Sequence, residues 1–215
     1  MTKSIPHLLV SAFLLCSAGY TSQAFGYYAV MDNGEILSQG VYKFTGVTQI
    51  LTNEGGVDLT AMADLGLSEE FGARGLLGVG KTDFYMGGLF KWMPVPDIDN
   101  QPAVGMNAGI IYARDAGVTE VTIRVEPLVS KKINVETAIL IPYASLPIGI
   151  QMRNTSARDD KTRVASQMVF GSQVQIEAWK NLQFMAEIGI NLDNAPSHVA
   201  AAAVLYFDQA KGFEL

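Results

Sequence analysis

The chain has 215 residues, 49% of them hydrophobic and 17% charged, with a formal net charge of -6 and a mean hydropathy of +0.21. An ordinary soluble domain is about 25% charged, so this chain carries more apolar surface than water normally meets. It is too apolar for a disordered protein and too acidic for a nucleic-acid binder.

Residues 1–24 read as an export signal: Lys3 supplies the positive start, residues 8–19 an apolar stretch, and Ser22, Gln23 and Ala24 a small-x-small cleavage site. An apolar run of about a dozen residues is too short for a membrane-spanning helix, which needs about 20. Cys16, the single cysteine, lies inside this segment. The exported chain is therefore expected to have no thiol and no disulfide.

After the signal, apolar residues recur at period two rather than at helical spacing, which predicts strands with one apolar and one polar face. Residues 27–39 are read as a first strand, interrupted by Asp32, Asn33 and Gly34. Residues 41–52 place Lys43 on the polar face, and 56–66 set Leu59, Ala61 and Leu65 against Asp58, Thr60 and Asp64. Strands at 71–80 and 83–93 contribute Arg74 and Lys91 to the polar face, followed by a strand at 102–114. The strand 118–128 alternates Glu120, Thr122, Arg124 and Glu126 with Val121, Ile123 and Val125. Strands at 133–143, 147–156 and 163–178 add Glu136, Arg153 and Glu177. Residues 181–192 set Glu187 against Phe184 and Ile188, and a strand at 197–208 ends the series.

Several of these runs reach ten residues or more, longer than the 5 or 6 usual in soluble sheets and long enough for a tilted strand to cross a bilayer. The longer connections, 93–102 and 156–162, follow even-numbered members of the series that starts at residue 41, whereas the short ones at 53–56, 81–82, 115–117 and 180–181 follow odd-numbered members. With a further strand at 27–39 this parity gives twelve strands, short turns on one side and longer loops on the other; ten strands are the alternative. In that arrangement Phe84, Tyr112, Tyr143, Trp179, Phe184, Tyr206 and Phe207 fall at one membrane interface, and Tyr42, Phe71, Phe90 and Trp92 at the other.

In this pattern of export signal, alternating strands and aromatic ends the chain resembles the outer-membrane β-barrel proteins of Gram-negative bacteria. The resemblance covers nearly all of the chain after the signal and rests on pattern, not on a sequence motif. It implies an all-β antiparallel up-and-down transmembrane barrel over residues 25–208, with outer-membrane lipid and the barrel assembly machinery as partners. Members of this class usually close with a strand ending in an aromatic residue, as 198–207 does at Phe207, although here residues 208–215 form a short tail beyond it.

Residues 75–82, Gly-Leu-Leu-Gly-Val-Gly-Lys-Thr, match the phosphate loop G-x-x-x-x-G-K-[ST]. That loop works only between a strand and a helix, whose N-terminal N–H groups hold the phosphates. The next stretch of chain, from Asp83 to Trp92, alternates like a strand, so Lys81 and Thr82 are expected in a hairpin turn and no nucleotide is expected. Catalysis has little to work with: beyond the signal His198 is the only histidine, no G-x-S-x-G turn accompanies Ser166 or Ser197, and no cofactor or metal is expected. The Asn154-Thr-Ser156 sequon is a loop-edge coincidence in an exported bacterial chain.

The polar face is the candidate site. Lys43, Asp58, Asp64, Arg74, Lys91, Glu120, Arg124, Glu126, Glu136, Arg153, Glu177 and Glu187 are expected to project into the lumen. Charges of both signs either line a hydrated path with a transverse field or pair and close it. The expectation is a narrow passive channel for small hydrophilic solutes or ions. Two alternatives stand beside it: a non-conducting barrel that meets a surface partner, and a soluble periplasmic β-barrel binder.

Overall fold

In the computed structural model, which describes residues 28–154, 161–179 and 182–213, the chain is all-β, with twelve strands and no helix among the described residues. The strands are β1 (Val41–Leu51), β2 (Val57–Gly66), β3 (Phe71–Gly80), β4 (Phe84–Val95), β5 (Ala103–Asp115), β6 (Val118–Ser130), β7 (Ile133–Val135), β8 (Ala138–Ser145), β9 (Ile148–Asn154), β10 (Lys161–Ile176), β11 (Leu182–Asp193) and β12 (His198–Asp208). The segment read as an export signal, and the 155–160 and 180–181 connections, lie outside the described residues.

Each strand pairs antiparallel with its neighbours, and β1 pairs with β12 from Val41↔Asp208 to Leu51↔His198, so the sheet closes on itself. Closure gives every strand except the short β7 two hydrogen-bonding partners, the condition for crossing a bilayer without unpaired backbone. Alternation is regular in the observed faces: Leu59 is 54% exposed and its neighbour Thr60 only 4%. Leu77, Met86, Ile110, Ile123, Phe170 and Ile188 also point outward, whereas Lys43, Asp64, Arg74, Arg124 and Glu187 point inward and are buried. A soluble barrel has the reverse distribution. The apolar exterior, strands of ten or more residues and closed sheet together make this a transmembrane up-and-down barrel.

The closed wall has ten strand positions rather than twelve. β8 and β9 occupy one position between β6 and β10: Leu128–Ser130 of β6 pair with β8 and Thr119–Val125 with β9. They are one stave, interrupted at Leu146 and Pro147 because proline has no N–H to give the ladder. The register does not slip there, since Ser145 pairs with Val169 and Ile148 with Ser166. β7 forms only a short hairpin with β8 at the rim. Residues 28–39, expected as a strand, contribute none and enter the lumen instead.

Merging two expected strands into one changes the sides. The connections 93–102 and 156–162 were expected on the same side; the 96–102 loop lies at the end opposite to the one where β9 stops and β10 starts, and it shares its end with residue 40 and with the end of β12. The aromatics regroup accordingly. Tyr42 packs on Phe207 (ring centroids 6.2 Å apart), Phe71 on Phe90 (5.2 Å) and Trp179 on Phe184 (5.7 Å), all at that same end. Phe84 and Tyr112 point outward at the far end. Tyr143 instead turns into the lumen, where it is buried.

The phosphate-loop match covers the second half of β3 and the turn after it, and β4 follows at Phe84, so a strand stands where the nucleotide-binding loop requires a helix. The turn is held by its neighbours: the Lys81 amide donates to Val57 O (2.9 Å) and the Thr82 amide to Asp58 Oδ1 (2.9 Å).

Candidate functional site: the lumen and the segment inside it

Strand register assembles the inner wall. Lys43, Asp64 and Arg74 are direct partners across β1, β2 and β3, and Lys91, Asn107 and Glu126 across β4, β5 and β6. A second row runs Tyr143, Gly171, Glu187 across β8, β10 and β11. Gly171 lacks the Cβ that would strike the Tyr143 ring. The ring therefore lies over it, and Tyr143 Oη donates to Glu187 Oε2 at 2.7 Å. Gly189 makes the same room for His198, whose Nε2 sits 3.0 Å from Glu187 Oε1.

Between these walls lies the extended segment from Tyr28 to Glu35. Tyr28, Ala29, Val30 and Met31 are at most 1% exposed and belong to one buried cluster with Val47, Met62 and Val204. Because this stretch pairs with no strand, its backbone is satisfied by side chains of the wall. Ala29 N donates to Gln49 Oε1 (2.9 Å), and Val30 N and Met31 N donate to the two oxygens of Glu187 (2.7 and 2.6 Å). Arg74 donates to Val30 O (2.7 Å) and Met31 O (3.2 Å), and Lys91 to Asn33 O (2.5 Å) and Glu35 O (2.8 Å). Arg124 donates to Tyr28 O (3.3 Å), and Gly34 N donates to Ser130 Oγ (2.8 Å). Met31 has φ +40°, a left-handed kink in the segment beside the two amides that Glu187 collects.

Asp32 is the electrostatic anchor. Its carboxylate lies 2.8 Å from Lys91 Nζ, 3.3 Å from Arg74 and 3.7 Å from Lys43, and it accepts from Asn107 Nδ2 at 2.9 Å. Asp64 takes the other faces of Arg74 (2.6 Å) and Lys43 (3.3 Å), so three cations share two carboxylates. Burial pushes the Asp32 carboxyl up, but Arg74, Lys91 and Lys43 outweigh it and hold it well below the usual carboxylate range. At β6, one strand on from Asn107, Tyr28 Oη donates to Glu126 (3.0 Å) and its ring lies 4.5 Å from the Arg124 guanidinium, which itself pairs with Glu126 at 2.6 Å. Asn33 Nδ2 donates to Gln173 Oε1 (2.8 Å), and Glu35 pairs with Lys132 (2.7 Å) at the rim.

The expected lumen residues thus divide by location. Lys43, Asp64, Arg74, Lys91, Arg124, Glu126 and Glu187 surround the segment. Glu120 lies toward the far end, paired with its cross-strand partner Arg153 at 2.9 Å, and Asp58 caps the 81–82 turn. Glu136 and Glu177 are not in the lumen. Glu136 sits in the β7–β8 hairpin and Glu177 just past the end of β10, both exposed beyond the rim where alternation has stopped. Sequence reasoning missed the segment itself, although Asp32-Asn33-Gly34, a polar break in an apolar run, was its signal. His198, singled out in the sequence only as a lone histidine, is 1% exposed.

Beside the segment, at the end that carries residue 40, opens a cleft of about 740 Å³ bordered by Glu35, Leu37, Asp97, Lys131 and Tyr206. Lys131 bridges two loops there, pairing with Asp97 and donating to Asp99 O at 2.5 Å.

No family model matches the chain, and no curated protein does. Among solved structures it is similar to a chain from the de novo design of transmembrane β-barrels, with a TM-score of 0.38 and 15% identity over 80% of this chain and 99% of that one. It is also similar to the N-terminal β-barrel domain of Pseudomonas aeruginosa OprF, with a TM-score of 0.33 and 9% identity over 79% of this chain and 98% of that one.

Proposed function

We propose that this chain is a Gram-negative outer-membrane barrel, exported by residues 1–24, whose lumen is a narrow hydrophilic path closed by residues 28–35. The observation that supports this reading is the buried segment clasped by Arg74, Lys91 and Glu187, because a wall that holds a chain segment by polar side chains is lined with groups that water serves equally well once the segment leaves. In barrels of this class both chain ends are periplasmic. That convention places the 96–102 and 131–137 connections and the 740 Å³ cleft in the periplasm. It leaves the turns at 52–56, 81–83 and 194–197 outside. With the segment in place the barrel conducts little; with it withdrawn, small hydrophilic solutes or ions pass.

A permanently closed barrel is the competing reading, and the depth at which Tyr28 to Met31 are buried favours it. Purified protein in planar bilayers tests the two. Wild-type protein that is mostly shut but shows discrete openings, made frequent by Asp32→Asn, fits the gated path. An inserted, folded barrel that never conducts in either form fits permanent closure and overturns it.

A further inference from the structure

We propose that the lumen is a binding site for a short peptide in which apolar residues precede an acidic one, and that residues 29–33 are its built-in occupant. The proposal rests on the gated reading, since the site becomes free only when the segment withdraws. What points to a peptide rather than to a generic polar solute is that the wall answers both polarities of a backbone. Glu187 and Gln49 accept three consecutive amide N–H groups, of Ala29, Val30 and Met31. Arg74 and Lys91 donate to four carbonyls, of Val30, Met31, Asn33 and Glu35. A sugar or a simple ion presents no such alternation.

Side chains are read as well. Val30 and Met31 belong to one buried cluster with Val47, Met62, Met185 and Val204, an apolar seat inside an otherwise polar lumen. One residue further on, Asp32 meets Lys91, Arg74 and Lys43. Without that carboxylate Lys43 and Arg74 would keep Asp64, and Lys91 would lose the carboxylate it pairs with here. The vacated site therefore attracts a negative charge at this level and hydrogen-bond donors at Glu187, a fixed polarity across the lumen. In the free peptide Ala-Val-Met-Asp-Asn the terminal ammonium falls at the Ala29 position, against Gln49 Oε1, and Glu187 takes the two amides that follow.

Fluorescence anisotropy with the labelled peptide Ala-Val-Met-Asp-Asn and its Asp-to-Asn analogue, on full-length refolded protein in detergent, tests this. Val30→Pro removes one donor to Glu187 and Asp32→Asn removes the anchor; both weaken the built-in occupant and leave the wall unchanged. Either variant should bind the acidic peptide about tenfold or more tightly than wild type does, and the Asn analogue should bind about tenfold more weakly than the acidic peptide. Folded variants, identified by heat-modifiable gel mobility, that bind neither peptide, or that bind both alike, overturn the site. Conductance of the same samples keeps the two ideas apart. Peptide binding without conductance in any variant retains the site and sinks the gated path. Conductance without peptide binding retains the path and sinks the site.

Discussion

Neutralising Asp32 is the perturbation that separates a docked segment from a merely buried one. Asp32→Asn keeps the size of the side chain and an acceptor for Lys91, but leaves Lys43 and Arg74 with Asp64 as their carboxylate and takes from Lys91 the carboxylate it pairs with. Removing one partner of a buried ion pair costs about 3–5 kcal/mol, because the remaining charge stays desolvated. The retained Asn acceptor places the effect near the lower end. On docking alone that is a shift of about 150-fold or more toward the released segment, since each 1.4 kcal/mol is tenfold. The barrel itself should survive, because its backbone ladders do not involve residue 32. Limited proteolysis of refolded protein reads the segment directly: cleavage within residues 28–35 should accelerate by two orders of magnitude while the remaining barrel stays resistant. Equal cleavage rates in the two proteins would refute the electrostatic anchor.

Leu59→Arg should lower refolding stability in vesicles by about 2–4 kcal/mol by setting a charge against lipid; a change under about 0.5 kcal/mol would mean that the face does not meet the bilayer. Asp58→Ala, which strips the 81–82 turn of its cap on Thr82 N, should cost about 1.5–3 kcal/mol, whereas Lys81→Ala on the exposed turn should cost almost nothing in the same urea titration. Because the Asp32 carboxyl is held below its ordinary range when docked, its contribution is present above the usual carboxylate pKa near 4 and is lost only as pH falls through the lower, docked value. The difference in segment protection between wild type and Asp32→Asn should therefore stay constant from pH 7 to pH 5; a difference that vanishes in that range contradicts the assignment.

The barrel was legible in the sequence because period-two alternation is a local signal, and Leu59 against Thr60 or Ile123 against Arg124 carries it without any knowledge of neighbours. The strand count was harder. Leu146 and Pro147 look like a turn between two strands, yet they only interrupt one stave, and nothing local distinguishes a missing ladder hydrogen bond from a reversal of direction. That single ambiguity reversed the expected side of the 96–102 connection and of Tyr42, Phe71, Phe90 and Trp92. Residues 28–35 were misassigned for a related reason. Tyr28 to Met31 are as apolar as a strand, and their partners, Glu187 and Glu126, lie about 100 residues or more along the chain. Inward residues were legible wherever alternation continued; Glu136 and Glu177 failed because their strands end before them.

The central claim is that residues 28–35 lie inside a membrane-inserted barrel, and thiol accessibility tests it most directly. Beyond Cys16 the chain has no cysteine, so in protein that starts after residue 24 Met31→Cys, fully buried, and Ser38→Cys, exposed at the rim, each introduce one reporter. With a water-soluble maleimide on protein reconstituted in vesicles and then opened with mild detergent to expose both sides, Cys at 38 should label to completion. Cys at 31 should stay protected until Asp32→Asn is added or the protein is unfolded. Equal labelling of positions 31 and 38 in the folded wild-type background would show that the segment lies outside the lumen and would contradict the account.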